Sequence, residues 1–115
     1  MKDLKERTKK FALDCIKFIE KIPDSYVARH FKGQLLRSSS SIAANYRAAN
    51  LGQTKAVFIS KISTVIEEAD ESEFWLEMIE DSELSSGSEL DYLKKEAHEL
   101  TSIFIASRKT AQQKH

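Results

Sequence analysis

The sequence predicts an all-α protein: one domain over residues 1–115, folded as an up-down-up-down antiparallel four-helix bundle. Three observations predict it. Apolar residues recur at steps of three and four through four long stretches. One Pro and three Gly in 115 residues suit long helices with few turns. The segments between the stretches are short, which makes successive helices antiparallel neighbours. No alternating strand pattern competes, and 41% hydrophobic residues suffice for a core.

The first helix is expected from about Lys2 to Ile22. Leu4, Phe11, Cys15, Ile19 and Ile22 form its stripe, widened by Ala12, Ile16 and Phe18, and lysines fill the other side. Pro23 stops it, because a residue before proline is pushed out of the helical region. Asp24 and Ser25 are both able caps for the second helix, Tyr26 to Ala49. Gly33 either bends that helix or divides it. Asn50, Leu51 and Gly52 form the turn that follows, with Gly52 suited to a left-handed conformation.

The third helix is expected from Thr54 to Asp81, on a stripe of Phe58, Ile62, Val65, Ala69, Ser72, Leu76 and Ile79. Its last turns are crowded with acids from Glu67 to Asp81, which oppose the helix dipole. The bases of the first two helices are the expected compensation. Ser82 to Gly87 reads as a turn. The fourth helix follows from Ser88 to Gln112, on Leu90, Leu93, Ala97, Leu100, Phe104 and Ala111, with a fraying tail to His115.

The most distinctive run lies inside the second helix, where four serines, Ser38 to Ser41, lead into Ile42-Ala43-Ala44-Asn45-Tyr46-Arg47-Ala48-Ala49. Serine is a middling helix former. Yet Val27, Phe31, Leu35, Ser38, Ile42, Tyr46 and Ala49 keep helical phase straight through the run. Ser38, Ser41, Ala44 and Ala48 would let another helix approach closely, either within one bundle or from a second subunit. Asn45 and Tyr46 fall at or beside the stripe, and a buried Asn must be hydrogen-bonded and can set register. Arg37 also lies close to it, and Glu68 or Glu71 is the expected carboxylate partner.

The formal net charge of zero conceals a split. Residues 1–62 hold 13 Lys/Arg against 5 Asp/Glu, and residues 63–115 hold 5 against 13. No acid occurs from Ser25 to Ile66. Such asymmetry speaks of partners rather than fold. It suits a basic face for nucleic acid, head-to-tail pairing of subunits, or facing helices that neutralise each other. Lys9, Lys10, Lys17, Lys21, Arg29, Lys32 and Arg47 are the candidates for phosphate contacts.

No catalytic or metal constellation emerges. Three residues before His30 and His98 stand Val27 and Lys95, so the Glu-x-x-His pair of a di-iron bundle is absent. Three glycines cannot build a phosphate loop, and the serine run lacks the flanking glycines of a nucleophile elbow. A single cysteine, Cys15, excludes an internal disulfide and a cysteine-based zinc site, and its stripe position reads as an inert buried thiol. The chain is read as non-enzymatic, with no cofactor and no metal. No apolar run approaches the about 18 residues of a membrane helix, and the N-terminus lacks a signal-peptide core. The expected compartment is the cytosol.

Leu36-Arg37-Ser38, Ile42 to Ala49, Lys55-Ala56-Val57-Phe58-Ile59-Ser60-Lys61, Glu68-Ala69-Asp70-Glu71-Ser72 and Trp75-Leu76-Glu77 resemble one family. It is the four-helix-bundle family of proteins encoded in 23S rRNA intervening sequences, also called S23-type. The resemblance covers the second and third helices closely and the others by pattern. It implies a bacterial protein, an up-down bundle and a homopentamer with a central channel, and it supplies no catalytic residues. A related branch, the accessory protein of diversity-generating retroelements, is similar in fold. That branch binds nucleic acid through basic surface residues and partners a reverse transcriptase. It is markedly basic, whereas this chain is neutral overall. Two roles therefore stand at this stage: an RNA-binding or ribonucleoprotein-associated bundle, and an oligomeric scaffold for a protein partner.

Overall fold

The computed structural model describes residues 3–52 and 54–114. They form four helices: α1 (Leu4–Ile19), α2 (Tyr26–Ala49), α3 (Lys55–Asp81) and α4 (Ser88–Gln113). The molecule is a rod with extents of 50 × 22 × 20 Å. Each helix packs antiparallel on the next in an up-down-up-down bundle. The α2–α3 and α3–α4 interfaces are extensive, α1 packs on α2, and α1 touches α4 only lightly. α1 and α3 stand on one diagonal. α1 has 16 residues against 27 in α3, so it flanks only part of the rod.

Local chemistry sets the ends. The Asp3, Ser25 and Thr54 side chains accept from Lys5, Ala28 and Val57 backbone N–H groups and cap α1, α2 and α3. α1 stops at Ile19, short of the expected Ile22. Pro23 bars continuation, and Lys21 and Ile22 close tight turns by donating to the Phe18 and Ile19 carbonyls at 3.1 Å. The expected start at Lys2 lies outside the described residues, as does His115. Gly33 does not divide α2, which runs unbroken with Gly33 on its exposed side. Gly52 takes φ +70°, as its place after α2 suggests. After α3 the left-handed position falls to Glu83 (φ 64°), with Leu84 N–H returning to the Ile79 carbonyl.

The core follows the predicted stripes. Phe11, Cys15, Leu35, Ile42, Ile62, Val65, Leu76, Ile79, Leu90, Leu93, Leu100 and Phe104 are buried from all four helices. On α2, Ala28 is buried in place of Val27, which is 48% exposed, because the buried face begins one residue later. Three polar residues join the core unforeseen: Thr8, Ser39 and Glu96.

Candidate functional site

Consecutive residues on a helix point about 100° apart, so the four serines meet four surroundings. Ser38 faces α3, where its hydroxyl and that of Ser72 lie 2.8 Å apart, both fully buried. Ser39 faces α1 and Cys15. Burial pushes the Cys15 thiol up to about 12, with a hydrogen bond from Ser39 pulling the other way, so this sulfur is not a nucleophile at neutral pH. Ser40 is exposed and donates to the Leu36 carbonyl at 2.7 Å. Ser41 is half-buried and accepts from Asn45 Nδ2 at 2.9 Å. Asn45 spends its other amide proton on the Ser41 carbonyl, so its bonds stay within α2 and set no register between helices. Tyr46 lies across the bundle from α4, its ring 5.1 Å from that of Phe104. Ala44 is exposed and Ala48 half-buried, so neither belongs to the core.

Arg37 lies on the surface and binds two carboxylates of α3. It donates to Glu68 at 2.8 Å and also to Glu71, which in turn accepts from Trp75 Nε1. These bonds, to Glu68 first, raise the guanidinium above its ordinary range. The other compensated acids of α3 are paired from α4: Glu80 with Lys94, and Glu73 with His98. α1, expected to help, supplies none of these partners because it stands diagonal to α3. It pairs with α4 instead. Arg7 makes a two-pronged contact with Glu96, both bonds 2.8 Å, at side-chain exposures of 21% and 11%. No sequence pattern marks that pair, since its members are 89 positions apart.

The seven cations nominated for phosphate do not share one surface. Lys10, Lys21 and Arg29 are tied to Asp14, Glu89 and Asp24, and Lys32 donates to the Ile22 carbonyl. Lys9, Lys17 and Arg47 have no carboxylate partner among the described residues. Lys9 and Arg47 line one groove between α1 and α2, of about 360 Å³, with Lys5 beside them and Ala43 and Ala44 as floor.

The folded chain sorts its charge along the rod. The end of α2, the start of α3 and the end of α4 come together, as the contacts of Arg108 with Ser63 and of Lys55 with the Lys114 carbonyl show. Arg47, Lys55, Lys61, Arg108, Lys109 and Lys114 gather there. No acid occurs from Ser25 to Ile66 or after Glu99, so these three helix segments carry no carboxylate. None of the six enters an ion pair among the described residues. Most acids lie toward the opposite end, and only the start of α1 brings acids, Asp3 and Glu6, to this one. Of the six, sequence reasoning nominated only Arg47 for phosphate, and Arg108, Lys109 and Lys114 stayed hidden because residues 63–115 are net acidic while their last turns are basic.

Among the described residues no cluster of His, Cys, Asp and Glu could hold a metal ion, and no helix is long and apolar enough to cross a membrane. The class of protein this defines is an antiparallel four-helix bundle with one basic end built from the end of α2, the start of α3 and the end of α4. Residues 2–106 match the family described as 23S rRNA-intervening sequence protein, and the chain belongs to that family. A crystal structure from Bacteroides thetaiotaomicron, described as a protein of unknown function from the S23 ribosomal protein family, has the same fold. It superposes with a TM-score of 0.83 at 26% identity, over 93% of this chain and 99% of that one. No curated protein matches significantly.

Proposed function

We propose that this chain is a non-catalytic RNA-associated bundle of the bacterial cytosol, which binds RNA through its unpaired cations. The observation that carries the reading is the gathering, at one end of the rod, of six cations on three helix segments that carry no carboxylate, none of the six in an ion pair among the described residues. Like charges held together repel, and a nearby polyanion relieves the repulsion. The family's printed name, tied to 23S rRNA, supports RNA as that polyanion. The test is a titration into labelled structured RNA at about 50 and 200 mM salt. About six phosphate contacts predict a loss of roughly a thousand-fold in affinity between the two. No binding at the lower salt refutes the reading.

A second reading, a homo-oligomeric scaffold for a protein partner, is favoured by a different observation. Leu13 (49% exposed) and Leu36 (41%) lie open on α1 and α2. The α1–α2 groove with Lys5, Lys9 and Arg47 faces away from the α3–α4 groove, where Glu73, Glu77, Asp91 and Glu99 outnumber Lys94 and Lys95. Opposite charges on opposite faces suit head-to-tail contacts that close into a ring, of five subunits by the resemblance. Ala44→Glu is expected to lower the mass measured by light scattering, and an unchanged mass removes that groove from any interface.

A further inference from the structure

We infer that the basic end binds the sugar-phosphate backbone of base-paired RNA and does not read unstacked bases. This rests on the RNA reading above and narrows it. Proteins that grip single strands combine cations with exposed rings on which bases stack. Here the cations of the basic end stand apart from the exposed rings, and the cations that do lie beside such rings, Lys10 over Tyr92 and Arg29 near Tyr26, are tied to Asp14 and Asp24. Among the described residues the exposed Phe and Tyr side chains are Tyr26 (85%), Phe74 (47%) and Tyr92 (48%), and all three stand in the acidic half, at the start of α2, late in α3 and at the start of α4. The rings at the basic end are occupied otherwise. Phe104 is buried, and Tyr46 and Phe58 are packed against the core.

What the basic end does present is long cationic side chains around two shallow grooves. One, of about 450 Å³, runs between α3 and α4 past Lys55, Ser107, Thr110 and Lys114, with Ala111 and the half-buried Phe58 ring also in its wall. The other holds Lys5, Lys9 and Arg47 between α1 and α2. Cations and hydroxyls with no fully exposed ring beside them fit phosphate and ribose oxygens, the groups that a double helix displays whatever its sequence. Binding is therefore strong at low salt, indifferent to sequence, and specific for a paired backbone.

The experiment compares an RNA hairpin with an unstructured RNA of equal length, for the native chain and two triple variants. Arg47→Gln/Lys61→Gln/Lys109→Gln removes three cations that have no side-chain partner among the described residues. Lys10→Gln/Lys21→Gln/Arg29→Gln removes the same charge from paired positions. The hairpin is expected to bind about ten-fold or more tightly than the unstructured strand. The first variant should lose about 3 from the slope of log affinity against log salt, roughly one per contact, and the second should lose almost nothing. Circular dichroism checks that both variants keep their helices. Equal or tighter binding of the unstructured strand overturns the inference while leaving the RNA reading intact. An unchanged slope in the first variant removes the basic end from the contact. Failure of both RNAs to bind at about 50 mM salt overturns the two together.

Discussion

The buried Ser38–Ser72 pair should show strong non-additivity. Its hydroxyls lie 2.8 Å apart with no exposure, and each has few alternatives. Ser38 Oγ retains a long 3.4 Å contact to the Leu35 carbonyl, whereas Ser72 has no other partner among the described residues. Ser38→Ala therefore orphans a buried hydroxyl, at a cost of about 2 kcal/mol. Alanine's better helix propensity returns about 0.5 kcal/mol, for a net loss of roughly 1.5 kcal/mol. Ser72→Ala leaves Ser38 its weak contact and should cost roughly half as much. The double variant strands nothing, gains propensity twice and should fall within about 0.5 kcal/mol of the native chain. Urea unfolding at one fixed protein concentration reads all three, and with m near 1.5 kcal/mol/M the Ser38→Ala midpoint drops by about 1 M. A double variant that loses at least the sum of the singles would refute the reasoning, because the hydroxyls would then not be each other's partner.

The remaining predictions concern α1. Glu96→Ala should cost about 2 kcal/mol and lower the melting temperature by roughly 8 °C, since it breaks a two-pronged contact at the most lightly packed seam. Arg7→Met/Glu96→Leu should recover most of that, as an apolar replacement strands no charge, and a loss below about 0.5 kcal/mol for Glu96→Ala would show the pair to be idle. Cys15 should react with a thiol reagent at pH 8 only as fast as the chain opens, and equal rates in buffer and in urea would place the sulfur at the surface. Its pKa is raised from 9.0 to about 12, so the folded state favours the neutral thiol. That contribution is intact below pH 9 and is lost as pH rises toward 12. Cys15→Ala should accordingly flatten the alkaline decline of stability between those values, and an unchanged slope would exclude the thiol as its source.

Much of the fold was legible because helical burial is periodic. Phe11 with Cys15, Ile62 with Val65 and Ala69, and Leu93 with Leu100 and Phe104 keep steps of three, four or seven, and each pair or set is buried. The partners of Arg37 were legible for a related reason, since few acids face α2 from its antiparallel neighbour. Arg7 with Glu96 was not, because α1 and α4 meet only after the whole chain has turned back on itself. Nor did the pattern of Asn45 reveal that its amide bonds close within one turn of α2.

The sequence by itself determined four helices, their order, their apolar stripes and the imbalance of charge between the two halves of the chain. Only the tertiary structure decided where that charge stands in space. A helix in an antiparallel bundle delivers its start and its end to opposite poles. The basic close of α4 therefore joins the basic start of α3, far from the acids that precede it in the chain. Six cations from three acid-free helix segments came to share one pole.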